Sequence, residues 1–366
     1  MHYHFRHKAQ GTRHKHWQTY VLSLSNNLIR RVFSRNLFIP SKLSLNELSK
    51  LSFKSPKTAL LVLALLLLSS SWNVQANGKK YRAGNRSDAI MLPESPVIHY
   101  ARPNLFAGDG KYAGPAGIWD PKKGFLVQSI DPDLYYLNFP TTGANNLYFD
   151  LLITGIEPEE LTWNTVTLSG ISATVTNVVA NEYWIPDEDR GRVARVKLTG
   201  PSDGWRWGVP RLPQRFELVG RDTYGVEVVK YGFVLQKWFI TREDVLMGED
   251  SYEKQLKWCR FWGYHMARVR ELSNAKCGIY NIFPCIDDIN NRASSSGNYY
   301  QRRIGEGFFT EWGDMASYDQ KYGGTYWTSD ARDVEYQFDA SSLSGVIGIR
   351  PSSPSRNYEA KVFCAH

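Results

Sequence analysis

The chain has 366 residues, 42% of them hydrophobic and 14% aromatic, which is room for two ordinary domains with sequence to spare. Its net charge of +8 sits at one end: residues 1–57 hold eleven Lys and Arg against the single acid Glu47, a local +10 that leaves −2 for the rest. A near-neutral main body excludes nucleic-acid binding as the working class.

The first predicted element is an export signal. Residues 58–70 form an apolar run with the length of a signal-peptide core, too short for a comfortable membrane span. It follows Lys54 and Lys57 and ends in the small-residue pattern Val74-Gln75-Ala76, so 1–76 reads as an extended basic leader and signal peptide with cleavage after Ala76. Residues 77–95 are polar and read as a flexible lead-in.

From 96 to 242 the pattern is short β-rich runs between turn residues. Leu147–Ile153 ends at Thr154-Gly155, and Trp163–Leu168 alternates before Ser169-Gly170. Ser172–Val179, Arg192–Leu198, Arg215–Val219 and Val226–Phe239 follow, with turns at 186–191 and 222–225. Strands of this length and spacing, with no useful helical period, predict an antiparallel β-sandwich of immunoglobulin-like kind. No cysteine staples it, so it must rest on its apolar core.

After Thr241 the character changes to α+β, and the second domain is placed at 243–366. Asp250 with Glu253 suggests a capping box opening a helix. Tyr252, Leu256 and Cys259 then share one face, and Gly263 suits the left-handed stop. Tyr358–Cys364 alternates like a final strand with Tyr358, Ala360, Val362 and Cys364 inward, and 286–326 reads mostly as loop.

All four cysteines fall in this domain. An even count after an export signal implies two disulfides, and the spacing lacks the Cys-x2-Cys pairs of a zinc site. Four cysteines allow three connectivities. Cys259 on the inward helix face and Cys364 on the inward strand face favour Cys259–Cys364, which leaves Cys277–Cys285 to close a local loop.

Several stretches resemble the end of invasin/intimin-like bacterial adhesins. They are Tyr231–Phe239, Trp258-Cys259 with Gly263-Tyr264, Glu271–Ala275, Gly307–Gly313, Tyr326–Ser329 and Val362-Phe363-Cys364. Gly124–Ser129 and Asn138–Gly143 look like the preceding domain of that group, and Thr12–His16 like its leaders. The resemblance implies a C-type-lectin-like head on immunoglobulin-like β-domains, contacting a host or neighbouring-cell receptor, in a Gram-negative bacterium. The outer-membrane barrel and repeat array of that group have no counterpart after Ala76, so the expectation is a secreted or peripherally held form with no membrane span in the mature chain.

Chemistry has thin support. Asp287-Asp288 and Asp330 with Asp333 could offer calcium ligands, but such acids more often cap turns, and no metal or cofactor is expected. The mature part holds three histidines, His99, His265 and His366, and no His-Glu-x-x-His, Gly-x-Ser-x-Gly or phosphate-loop motif. The enzymatic rival is the formylglycine-generating type, which shares the lectin-like fold and needs a reactive cysteine pair. Recognition has better material, because Tyr, Trp and Arg dominate interface hot spots. Tyr299, Tyr300, Arg302 and Arg303 follow the polar run 294–298 and are expected to be exposed contact residues; Trp312 joins them as a candidate, against the reading that it fills the core. The resulting expectation is a non-catalytic exported adhesin whose head binds a cell-surface protein receptor. A calcium-independent carbohydrate lectin and the exported enzyme are the alternatives.

Overall fold

Period-two alternation is clearest in the strands over 171–180, 191–199 and 214–221, whereas most strands of the C-terminal sheet are buried on both faces. The structure is a computed structural model and describes residues 95–202, 208–242, 250–277, 293–352 and 358–366. The expected leader, its cleavage point and nearly all of the lead-in lie outside those residues. Among the described residues no helix is long and apolar enough to cross a membrane.

The first part is all β. Its strands are β1 (Val97–Arg102), β2 (Trp119–Asp120), β3 (Gly124–Leu126), β4 (Thr142–Ala144), β5 (Tyr148–Thr154), β6 (Thr162–Trp163), β7 (Val166–Leu168), β8 (Ile171–Ala180), β9 (Gly191–Thr199), β10 (Gln214–Arg221) and β11 (Glu227–Leu235). Among the described residues the helical turns between them are short 3₁₀ pieces such as Pro132–Leu137 and Asp187–Asp189. One sheet runs β2-β3-β1-β5-β9-β8-β7 and the other β11-β10-β6. Their inner faces meet in an aromatic core, with Phe149 6.0 Å from Phe233 and Phe216 stacked on Phe233 at 5.1 Å. This is the expected immunoglobulin-like sandwich, with no cysteine in it.

The expected single run 226–239 breaks at Gln236. There the chain leaves the sandwich and continues as β12 (Lys237–Thr241) in a different sheet. The Gln236 amide turns aside to donate to the Thr141 carbonyl at 2.7 Å. Trp238, fully buried, then seats against glycines: a Cβ at Gly143 or Gly200 would lie 2.9 or 2.7 Å from its ring. Only residues without a side chain let the indole approach that closely.

The second part contains α1 (Tyr252–Phe261), β13 (His265–Met266), α2 (Val269–Leu272), α3 (Phe308–Trp312), β14 (Thr325–Ala331), β15 (Tyr336–Ser341), β16 (Ile347–Pro351) and β17 (Lys361–Ala365). Their sheet runs β16-β15-β14-β17-β12-β4, with β13 also on β17. So β4 and β12, both on the N-terminal side of residue 242, are strands of the C-terminal sheet. The larger apolar core is likewise continuous from Phe125 and Phe149 to Trp327 and Phe363.

Two expectations need correction. Asp250 does not cap α1; Ser251 stands at that position, and Asp250 pairs in a β-bridge with Ala360 while its carboxylate meets Arg242 at 3.2 Å and Lys254 at 3.1 Å. Charge partners outcompete the helix end for that carboxylate. Nor does β17 alternate: residues 360–365 are all buried, because β17 lies inside the sheet with β12 on one edge and β14 followed by β13 on the other. The shared face of α1 holds as expected, with Cys259 fully buried and Gly263 at φ +80°.

Cys259 and Cys364 form the expected disulfide, Cα to Cα 5.4 Å, across 105 residues. Cys277 is also disulfide-bonded; its expected partner Cys285 lies outside the described residues.

Two acids tie elements together. Glu311, fully buried on α3, accepts from the Thr141 amide (3.1 Å) and hydroxyl (2.8 Å), the Thr142 amide (2.9 Å) and hydroxyl (2.5 Å) and the Gly305 amide (2.8 Å). Burial pushes its carboxyl above the ordinary range against the pull of those five donors. Glu271 on α2 meets Lys237 at 2.7 Å, His265 at 2.9 Å and the Arg268 amide at 2.9 Å. Burial alone would raise its carboxyl, but these donors bring it down to about 2.

Three outcomes follow. Replacing Cys259 and Cys364 by serine removes a closure of about a hundred residues and should cost about 4–5 kcal/mol, read from denaturant melts of oxidised full-length protein. Glu311→Ala leaves five buried donors without an acceptor and should cost on the order of 3–5 kcal/mol in the same melts. Glu271 has a depressed carboxyl, so its stabilisation is complete above the unfolded value near 4.5 and fades as pH falls towards about 2. Against Glu271→Gln, the wild-type advantage should be on the order of 2 kcal/mol at neutral pH and vanish near pH 2; parallel stability curves for the two proteins would refute this.

Candidate recognition surface

Residues 300–303 follow a bend at 295–299 outside any helix or strand, and the side chains of 299–303 alternate between half-buried and buried. Tyr299, Gln301 and Arg303 therefore face out, while Tyr300 and Arg302 face in.

The inward pair corrects the expectation that all four Tyr and Arg residues are exposed. Tyr300 is fully buried; its amide donates to the Ser344 carbonyl at 3.0 Å and its hydroxyl to the Leu343 carbonyl at 3.1 Å. Burial pushes its phenol well up. Arg302 is also fully buried, with its guanidinium 4.2 Å over Trp119 and 5.6 Å from Phe125 and one nitrogen donating to the Asn104 carbonyl at 2.8 Å. Burial lowers its tendency to stay charged, while the two aromatic faces offset part of that cost. Trp312 fills the core, 4.9 Å from Phe139, and its indole donates to the Thr142 carbonyl at 3.0 Å. These three side chains build the scaffold and offer no free surface.

Tyr299 and Arg303 remain half-exposed. The Tyr299 ring lies 5.6 Å from the Tyr112 ring at 71°, and its hydroxyl pairs with Ser296 at 2.7 Å. Lys111, exposed, holds its ammonium 4.9 Å from the Tyr299 ring and 5.1 Å from that of Tyr112. Gln301 and Arg302 fasten this corner by bonds to the Lys111 and Tyr112 carbonyls at 3.2 and 2.9 Å. Arg303 reaches Glu306 only at 3.8 Å, a weak exposed pair.

The turn 343–346 borders the same corner. Asn298 exchanges two hydrogen bonds with Ile347, at 2.8 and 2.7 Å, and Tyr300 bonds to residues 343 and 344. Leu343 and Val346 stand exposed there at 49% and 39%. The face thus joins an aromatic pair, a cation and two aliphatic side chains on a floor fixed by Tyr300. Such a mixture suits a protein surface with apolar anchors inside a polar rim. Lys111 and Tyr112 carried no signal in the sequence, since they lie some 190 residues from Tyr299; Leu343 and Val346 sit in an ordinary turn.

The acids and histidines named as possible chemistry have structural partners. Asp330 bonds to Arg268 at 2.8 Å and to the Val269 amide at 2.7 Å, and Asp333 to Arg332 at 2.7 Å. Asp287 and Asp288 lie outside the described residues. His265 is engaged by Glu271, and His99 bonds to Thr154 at 3.0 Å. Among the described residues no cysteine is free, and no group of three or more His, Cys, Asp or Glu side chains is placed to hold a metal ion.

No family model and no curated protein matches the chain. Among solved structures it is similar to invasin, described as a bacterial integrin-binding protein, at 14% identity and a TM-score of 0.43, over 74% of this chain and 39% of that one. It is similar to a C-terminal fragment of intimin in complex with the intimin-binding domain of the translocated intimin receptor, at 10% identity and 0.38, over 74% and 66%. A third similarity is to a smaller intimin piece from enteropathogenic E. coli, at 10% identity and 0.29, over 63% and 90%. This chain spans well under half the length of the invasin structure.

Proposed function

We propose that the chain is an exported, adhesin-like protein that binds a protein on a cell surface and carries out no covalent chemistry. In this reading the sandwich, near 96–242, carries the C-type-lectin-like module, near 243–366, and the two act as one rigid head. The observation that carries the reading is the corner formed by Lys111, Tyr112, Tyr299, Leu343 and Val346: recognition side chains held on a floor of buried hydrogen bonds. Preorganisation of that kind reduces the entropy lost on binding, so modest contacts suffice. A cell-surface protein as partner agrees with what the invasin and intimin structures are described as binding.

The enzymatic alternative loses support at its chemistry. It needs a reactive thiol pair, whereas Cys259 is joined to Cys364 and Cys277 is oxidised as well. The lectin alternative stays as an outcome of the experiment. Labelled full-length protein should bind host or bacterial cells, lose that binding after surface trypsin treatment and keep it after periodate. Tyr299→Ala and Leu343→Ser should each weaken binding by about tenfold or more, as expected of interface anchors, with unchanged melting. Binding that survives trypsin but not periodate would replace the protein receptor with a glycan; binding indifferent to both substitutions would place the contact elsewhere.

A further inference from the structure

The larger sandwich sheet forks. Strands β5 and β9 pair from Tyr148↔Lys197 to Leu151↔Ala194 and then stop. Beyond that point β5 continues with β1 alone, to Thr154↔Val97, and β9 with β8 alone, to Ala180↔Gly191. Each strand keeps its outer partner and loses its inner one, so the edges at 152–154 and 191–193 face each other across a cleft of about 600 Å3.

The size of the cleft fits one chain. Three strand residues at about 3.3 Å rise, 4.8 Å lateral and 10 Å layer spacing fill roughly 480 Å3, which the cleft can hold. Arg102 lines the cleft at 2% exposure. Its terminal nitrogens bond to Asp150 and to the Asp189 carbonyl at 3.3 and 3.1 Å, but its Nε–H has no acceptor. A buried donor left in that state asks for an oxygen from outside the fold. At the mouth, Arg192 and Glu159 clasp the two sides with an exposed ion pair at 2.5 Å, which is weak enough to open. Glu157 and Glu160 also line the cleft and have no cation partner among the described residues.

The geometry points to a second binding site, separate from the Tyr299 corner: an extended peptide of a partner protein inserts between β5 and β9 as an extra strand, its backbone carbonyl meeting the Arg102 Nε–H and a Lys or Arg on it pairing with Glu157 and Glu160. Main-chain hydrogen bonds to the two open edges supply the affinity, and the two rim carboxylates set the preference for a basic segment.

The test uses full-length protein and a phage-displayed library of random nonapeptides. The expected winners combine β-branched residues with Lys or Arg, and the synthetic peptides slow hydrogen exchange at amides 152–154 and 191–193. N-methylating alternate peptide residues should weaken binding by about tenfold or more, since it removes strand hydrogen bonds. A Cβ at Gly191 meets nothing within 4 Å, so Gly191→Leu should fold and block the cleft. Glu157→Gln with Glu160→Gln, a change of exposed side chains, should lower affinity for the basic peptides, and Tyr299→Ala should leave it unchanged. No enriched peptide, protection elsewhere, or binding indifferent to N-methylation and to Gly191→Leu would overturn the proposal.

Discussion

A carboxylate with no access to water organises this molecule. Glu311 lies in a short helix of the C-terminal module, yet four of its five donors belong to Thr141 and Thr142, which lead into the strand that the sandwich lends to the other sheet. Burying an ionisable group is costly unless hydrogen bonds replace its hydration. Here two backbone amides and two hydroxyls from one part, with the Gly305 amide from the other, do so together. Moving the modules apart would strand the acid and its donors at once. The neighbouring Trp312 reinforces the latch by packing on Phe139 and donating to Thr142.

Arg302 is the second buried charge, and it ties the modules from the opposite direction. Its guanidinium enters the sandwich, lies over Trp119 and bonds to Asn104, and the Glu311 charge favours its ionised form. Tyr318 and Tyr322 add hydroxyl bonds to the Asn104 amide and the Asn145 carbonyl, both at 2.7 Å. With the aromatic core continuous across the junction, the two parts form a single unit, and the proposed contact corner combines loops from both. A recognition face of that sort keeps its shape only if the parts cannot hinge.

Closure of the C-terminal sheet depends on the last residues of the chain. β17 separates β14 from β12, and its Cys364 holds α1 through Cys259. The sheet is therefore incomplete until residues 361–365 are in place between them. A crosslink over 105 residues limits how far that final strand can stray in the unfolded chain. The sandwich shows the opposite economy: no cysteine, but local hairpins such as β8–β9, paired over nine register positions, that need little help to find each other.

The sequence by itself was enough for what depends on near neighbours. Alternation over Arg192–Leu198 marked β9, because a strand sends successive side chains to opposite faces, and the short β-rich run Ser172–Val179 marked β8. The helical spacing of Tyr252, Leu256 and Cys259 aimed the sulfur inward, and Gly263 ended the helix where a left-handed residue was needed. Tertiary structure alone decided the rest. It moved the chain to a new sheet at Gln236, covered both faces of β17, turned Tyr300 and Arg302 inward, and brought Lys111 and Tyr112 to Tyr299. It also parted β5 from β9. The reason is one of range: periodicity and backbone sterics act within a few residues, whereas burial, charge satisfaction and strand neighbours are set by segments one to two hundred residues apart, which no local pattern encodes.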